Sequence, residues 1–281
     1  MKELRQRMIE DLRIRNLSES TQATYIRQVA AFARYFGRSP AELGPEHIRS
    51  WQVHLVKRGM SWSSLNIAVC ALRFLYGITL DRNWTVKFIP YAKKEKALPV
   101  VLSAAEVKSL LDVLTNLKHR AMLMVAYSGG LRVSEIAGLR LEDIDSKRMV
   151  IHVRKGKGRK DRFVPLSPKL LDELRVYWRA SRPRPFLFPG SDPHRPITPG
   201  SIALVCKSAT RRAGLKKRVS PHTLRHAFAT HHLEAGTDVR TIQMLLGHGS
   251  IRTTCCYMHI SREKISSIPT PLDLLPDTST P

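Results

Sequence analysis

Between Tyr91 and Leu102 the sequence reads YAKKEKALPVVL, with three lysines, one proline and no amphipathic period. A segment of that kind offers no apolar face to a core, so it predicts a linker over 91–102. The parts on either side must then each bury an interior of their own, and a chain of 281 residues is long enough to do so twice. Residues 1–90 read as helices punctuated by turns. Tyr25, Val29, Phe32 and Phe36 recur at helical spacing and stop at Gly37, with about 18 residues ahead of this first strong helix. Gly44-Pro45 supplies a proline for a first helical turn, Ile48, Trp51 and Leu55 follow at the same period, and Gly59 closes the segment. A fourth helix is expected from about Trp62 to Gly77. The first domain, 1–90, is therefore predicted to be small and all-helical.

Beyond the linker, Ser103 and Glu106 stand at capping-box spacing ahead of Val107, Leu110, Leu111 and Leu114, which opens a second domain over 103–260. Another helix leads into Ser128-Gly129-Gly130. The segments MVIHV (149–153) and RFVPL (162–166) look like strands, and the basic stretch RKGKGRKD between them predicts a hairpin with glycines in its turn. Everything beyond Pro168 is expected to return to helix, as far as a tail over 261–281 that carries four prolines, two basic and three acidic residues. The fold expected is mainly α with a small β-sheet.

Forty-seven Lys and Arg against 23 Asp and Glu give a net charge of +24, and 43% hydrophobic content places that charge on folded domains rather than on a disordered tail. Residues 1–90 hold 14 basic and 7 acidic side chains and residues 101–260 hold 28 and 12, so both domains point towards a polyanion. No run approaches the ~20 apolar residues of a membrane span. The opening MKELR lacks the apolar core of a signal peptide, so the expectation is a cytoplasmic protein with nucleic acid, not a membrane, as partner. Cys70, Cys206, Cys255 and Cys256 form no CxxC, which argues against a disulfide framework or a zinc knuckle.

Charge alone supports a nucleic-acid binder of any kind. Placement is more informative. Arg132 follows a Gly-Gly turn at a helix start, Lys157 sits between glycines at the hairpin tip, and His222 and Arg225 open a helix after Ser220-Pro221. Gly247-His248 ends another helix, and Tyr257 follows nine residues after His248. Two arginines, a lysine, two histidines and a tyrosine suit phosphoryl transfer without metal. Arginine offers a permanently charged planar fork to the non-bridging oxygens of a phosphodiester. A phenol with a pKa near ~10 is a weak nucleophile but a competent leaving group, so an aryl phosphate ester conserves bond energy and no ATP is needed. A departing oxygen needs a proton, which a lysine can supply, and a histidine can exchange protons or hold a phosphate.

Singly, these residues have ordinary alternatives. An arginine after a turn is commonly a solvated helix-start residue, and Lys155 and Lys160 flank Lys157 as further backbone contacts. His222 and His226 lie four apart, as zinc ligands do in some hydrolases, but the intervening Thr-Leu-Arg holds no Glu base and Arg225 would repel a cation, so no metal is expected. Tyr25, Tyr35, Tyr76, Tyr91, Tyr127 and Tyr177 are expected in core packing. His231, His232 and His259 read as packing or surface residues.

Four segments decide between these readings: SGGLRVSEIAGL, GKGRKDRFVPL, HTLRHAFATHHLEAG and LLGHGSIRTTCCYMH, in that order. Together they resemble the catalytic domain of the tyrosine recombinases, the phage-integrase and Xer-type family. The likeness spans nearly all of 103–260, and the first domain is similar to the family's helical, SAM-like core-binding domain. Carried over residue by residue, the resemblance implies Tyr257 as nucleophile, Arg132 and Arg225 holding the scissile phosphate, and Lys157, His222 and His248 completing the site. Glu135 matches the family's supporting acidic residue. Lys155, Arg159, Lys160, Arg211 and Arg212 would contact DNA.

The implied activity is cleavage and rejoining of double-stranded DNA at a specific recombination site, through a 3′-phosphotyrosyl link and a Holliday junction, with no cofactor and no metal. The implied assembly is a two-domain clamp on DNA, monomeric when free and a homo-tetramer in the synaptic complex. Its tail, 261–281, would dock on a neighbouring subunit through Ile265, Ile268, Leu272, Leu274 and Leu275. The short lead before the first strong helix departs from larger integrases with an arm-binding module, and the short span from Arg212 to His222 departs from the integron type. Cys255-Cys256 before Tyr257 is unusual. A type IB topoisomerase, which shares an Arg, Lys, Arg, His, Tyr site, is one alternative, to be told apart by relaxation without a defined site. A non-enzymatic DNA-binding regulator is another, and it leaves the six-residue set unexplained.

Overall fold

A computed structural model describes residues 2–83, 89–92, 99–154 and 161–255. The chain divides into two compact units between residues 97 and 98.

The first unit begins with a helix that the spacing argument did not isolate. Helix α1 (Lys2–Ile14) buries only Met8 and Leu12, a stripe too narrow to stand out among its charged residues. Helix α2 (Glu19–Phe36) starts where the Ser18 hydroxyl accepts the Thr21 amide and stops at Gly37, which takes a left-handed φ of 64°. Helix α3 (Pro45–Lys57) buries Ile48, Trp51 and Leu55, as their spacing required. Helix α4 (Trp62–Phe74) ends short of Gly77 because the chain widens into a π-helical turn over Leu75–Thr79. That turn buries Tyr76, whose hydroxyl is shared between the carbonyls of Pro40 (2.9 Å) and Leu43 (3.1 Å). Residues 89–92 lie back on α4: Arg73 donates to the Ile89 carbonyl at 2.9 Å, and Asn66 pairs with both backbone groups of Ala92 at 2.8 and 3.0 Å. Tyr35 and Tyr91, expected inside, are 46% and 56% exposed.

The second unit opens on the capping box read from the sequence. Ser103 and Glu106 exchange bonds of 2.8 and 3.2 Å, and helix α5 (Ala104–Asp112) follows. Leu102 is buried in this unit's core. Helix α6 (Leu117–Ser128) is the axis of the unit, buried at every residue from Ala121 to Ala126 and so apolar all round instead of striped. Helix α7 (Val133–Gly138) leads into an antiparallel sheet of β1 (Ile144–Asp145), β2 (Val150–Val153) and β3 (Arg162–Pro165), in the order β1-β2-β3. The expected hairpin pairs His152 with Phe163 and Val153 with Arg162. Strand β1 was not expected, since two residues carry no alternation; the Asp145 carboxylate reverses the chain by accepting the amides of Lys147 and Arg148. The hairpin tip, with Lys155, Lys157, Arg159 and Lys160, lies outside the described residues.

Helices α8 (Pro168–Ser181), α9 (Pro199–Arg212), α10 (Pro221–Glu234) and α11 (Val239–Leu246) follow. The expectation of unbroken helix beyond Pro168 fails over 182–198, where five prolines remove amide donors. The chain there forms isolated bridges, Arg140 with Phe186 and Pro189 with Pro196, and buries Leu187 and Phe188. No described helix is long and apolar enough to cross a membrane.

Candidate active site

The site is built around one turn. Gly130 adopts a φ of +57°, and a Cβ there would lie 2.5 Å from the Phe228 ring on α10, so only glycine passes α10 this closely. Two residues later Arg132 caps α7, and Glu135 folds back on it. The Glu135 carboxylate accepts the Arg132 amide at 2.8 Å and Arg132 Nη1 at 2.7 Å. From β3, Arg162 adds a two-pronged pair, Nη1 to Oε1 at 2.9 Å and Nη2 to Oε2 at 2.8 Å. Arg225, in α10, brings Nη1 within 3.9 Å of the same carboxylate. Burial alone would raise the Glu135 pKa, but the bonds from Arg162 and Arg132 outweigh it and hold the carboxyl at about 2.

The same three arginines also share a helix end. Helix α11 stops at Gly247, at a φ of +60°, leaving its last carbonyls without amide partners. Arg162 Nε donates to Leu245 O at 2.7 Å, Arg225 Nη2 to Leu246 O at 2.6 Å and Arg132 Nη2 to Gly247 O at 2.9 Å. Three guanidinium groups thus cap three successive carbonyls at the negative end of the helix dipole. Arg225 is pinned further by Gly130 O at 2.6 Å, and its side chain is only 4% exposed.

Two histidines border this cluster. His248 follows Gly247, and its Nδ1 lies 2.9 Å from the hydroxyl of Thr254, which is buried. Burial first, then the charges of Arg225, Arg132 and Arg162, lower its pKa to about 4, so the ring is neutral at pH 7. His222 stands in the first turn of α10, and its pKa is lowered by partial desolvation of the ring and then by Arg225 and Arg132. His226 stands one turn on, its ring 6.3 Å from that of His222. Among the described residues no three His, Cys, Asp or Glu side chains are arranged to hold a metal ion.

Five of the sequence-derived site residues, Arg132, Glu135, His222, Arg225 and His248, therefore lie together. Arg211 and Arg212 are exposed in the last turn of α9 and take no part in the bonds of the cluster. Tyr257 and Lys157 lie outside the described residues. Arg162 and Thr254 were not foreseen. Alternation along RFVPL would have exposed Arg162, because it shares a face with Val164 and Leu166, both buried. Thr254 left no such signal, since its contact depends on the turn after α11. Three cations against one carboxylate leave two positive charges in excess, a setting suited to a phosphodiester and its more highly charged transition state.

The description "Phage integrase family" matches residues 100–264, and "Phage integrase, N-terminal SAM-like domain" matches residues 4–86. The chain belongs to the phage integrase family. This is the tyrosine recombinase family, and the chain is an enzyme of that kind. It is similar to a Sinorhizobium fredii chain provisionally named integrase/recombinase, 49% identical over 98% of this chain and 90% of that one. It is also 33% identical to a tyrosine recombinase of Pseudothermotoga lettingae, over 92% of this chain and 93% of the relative. The fold matches the crystal structure of a lambda integrase dimer bound to a COC′ core site, with a TM-score of 0.74 at 17% identity, covering 90% of this chain and 96% of the other.

Proposed function

We propose that this tyrosine recombinase acts in the cytoplasm on double-stranded DNA at a specific recombination site, and that its catalytic machinery is the arginine cluster described above. The observation that carries the reading is one buried carboxylate bonded to Arg132 at 2.7 Å and 3.9 Å from Arg225, with His248 and His222 bordering the pair. In this reading the two arginines bind the scissile phosphate and stabilise the charge that grows on its non-bridging oxygens. The Tyr257 phenol attacks phosphorus, forming a 3′-phosphotyrosyl bond as the bond to the 5′ oxygen breaks. Lys157 gives that oxygen its proton, leaving a 5′ hydroxyl. Neutral His248 donates a hydrogen bond to the phosphate from one ring nitrogen, and the phenolic proton passes to His222, or to water where His222 instead holds the phosphate.

Spacing supports the nucleophile. Tyr257 is three residues from Thr254, a reach of at most about 11 Å of extended chain, and Thr254 is bonded to His248. The 5′ hydroxyl of a partner strand then attacks the phosphotyrosine and releases the Tyr257 phenol; each step exchanges one phosphate ester for another, so no ATP is consumed. The units at 1–97 and 98–281 would serve as core-binding and catalytic domains. The lambda integrase structure that shares this fold is bound to its core site, which supports DNA as the partner.

Strand exchange between two duplexes calls for four protomers. The catalytic unit carries an apolar cavity of about 380 Å³ lined by Leu111, Met124, Tyr127, Leu170, Phe228 and His231. It is suited to receive the apolar tail segment 265–276 of a neighbouring subunit. Truncation after residue 261 is expected to abolish cooperative assembly of the synaptic complex, and unchanged assembly would remove the tail from the mechanism.

The deciding experiment is covalent trapping on nicked duplexes tiled across the DNA flanking the gene, with Tyr257→Phe alongside. A denaturation-resistant band carrying the 3′-side label is expected only from the unsubstituted protein, and EDTA should leave it unchanged. Relaxation of supercoils without a defined site would instead favour a topoisomerase.

A further inference from the structure

Arg162 belongs to the cluster, yet the chemistry proposed above gives it no task. Its Nε is committed to Leu245 O, its Nη1 to Glu135 Oε1 and its Nη2 to Glu135 Oε2, at 2.7, 2.9 and 2.8 Å. Every nitrogen of the fork thus has a partner inside the protein. Arg225, bonded to Gly130 O and Leu246 O and 4% exposed, is held as tightly, so Arg162 is set apart by what its bonds connect. It does join three elements. Arg162 begins β3, opposite Val153 at the mouth of the hairpin whose tip contains Lys157. The carboxylate it grips orients Arg132, and the helix end it grips also holds Arg132 and Arg225. Its aliphatic stem passes the end of α11 so closely that a Cβ on Gly247 would lie 3.1 Å from Arg162 Cδ.

We propose that Arg162 is a positioning residue for strand cleavage, bracing the base of the hairpin, the Glu135 carboxylate and the end of α11 so that Arg132 and Arg225 present a fixed pair to the phosphate. The inference rests on the recombinase reading above and adds a residue to it. Lysine at this position keeps the charge but cannot make the two-pronged bond or reach three acceptors in fixed directions. A misplacement of about 1 Å in the cradle costs on the order of a hundredfold in rate.

Glu135 faces Arg132 from its own turn, Arg162 from β3 and Arg225 from α10, while His222 and His248 border the same cradle. Without Arg162, burial acts on Glu135 against fewer opposing cations. Its carboxyl then protonates at higher pH, releasing Arg132.

The test compares Arg162→Lys and Arg162→Gln with the unsubstituted protein and Tyr257→Phe, as full-length chains on the nicked duplex. It reads the single-turnover rate of covalent complex formation between pH 5 and 8, DNA affinity at fixed salt, and thermal midpoint. Arg162→Lys is expected to slow cleavage roughly tenfold to a hundredfold with unchanged DNA affinity, and Arg162→Gln to move the acid limb of the rate to higher pH. Combining Arg162→Gln with Glu135→Gln should cost less than the two single losses together, because part of the Arg162 effect acts through Glu135. Arg162→Lys, which preserves the buried charge, carries the test if the glutamine variant does not fold. An unchanged rate and pH profile in Arg162→Lys would overturn the inference, as would a rate loss matched by lost DNA affinity, which would make Arg162 a DNA contact. A wild-type chain that gives no Tyr257-dependent complex overturns the recombinase reading itself, and the role of Arg162 with it.

Discussion

Glu135 does no chemistry in this reading, yet it is the residue on which the others converge. Its side chain is 5% exposed and faces three guanidinium groups, so removing its charge leaves buried cations without their counter-charge. Glu135→Gln is accordingly expected to destabilise the second unit by about 3 to 5 kcal/mol at pH 7, seen as a lower urea midpoint. The pH dependence has a definite sign. The folded carboxyl titrates at about 2, below the ~4.3 of an unfolded glutamate. Its stabilisation, on the order of 3 kcal/mol, is therefore fully present above that higher value and lost as pH falls through 2. A urea series between pH 5 and 2 should show this loss in the wild type and a shallower slope in Glu135→Gln. Equal slopes would mean that the arginines do not hold the carboxylate. His248 behaves likewise in a higher window: a ring held at about 4 is neutral when folded, so its contribution fades as pH falls from ~6.5 towards 4.

The elements contribute their ends more than their lengths. Arg132 stands at the start of α7, Arg225 in the second turn of α10, and α11 offers its terminal carbonyls to both. Gly130 sets the spacing between two of these pieces, since its carbonyl holds Arg225 and its missing side chain admits Phe228. Gly130→Ala meets both a left-handed φ and a ring 2.5 Å away, and should cost roughly 2 to 4 kcal/mol and slow covalent trapping. Gly37→Ala has a similar φ of +64° but open space around it, so about 1 kcal/mol with unchanged cleavage is expected; urea unfolding and trapping rates separate the two. Equal losses from both would deny Gly130 its steric role. These ends explain what the sequence disclosed. Capping at Ser103 and the core spacing of Ile48, Trp51 and Leu55 are local patterns and were legible. So were the arginines at 132 and 225 and the histidines at 222 and 248, because four motifs preserve their order. Helix α1 buries too narrow a stripe, and strand β1 is too short, for a period to announce them. The five prolines over 182–198 and the place of Arg162 on the buried face of RFVPL are local signals that a helical period does not carry, whereas Thr254 left none, because its bond to His248 forms only with the turn after α11.

At the scale of the whole chain, charge governs how DNA is held. An excess of basic residues occurs on both sides of the boundary, 14 against 7 over residues 1–90 and 28 against 12 over residues 101–260, so phosphate contacts should be spread over both units. Each neutralised phosphate releases condensed counterions, and the logarithm of the binding constant falls with the logarithm of salt at roughly −0.9 per contact. For a site engaging about six to ten phosphates, affinity should drop on the order of 10³ to 10⁵ between 50 and 200 mM salt. Tyr257→Phe should retain both the affinity and the slope, because the hydroxyl is needed for bond making and not for holding DNA. Arg132→Ala should reduce the slope by about 0.9, the share of a single phosphate, while cleavage falls by roughly 10² to 10³. Titrations across that salt range with all three proteins test these statements together. A flat response in the wild type would remove DNA as the partner, and an unchanged slope in Arg132→Ala would mean that Arg132 serves the cradle without touching the scissile phosphate.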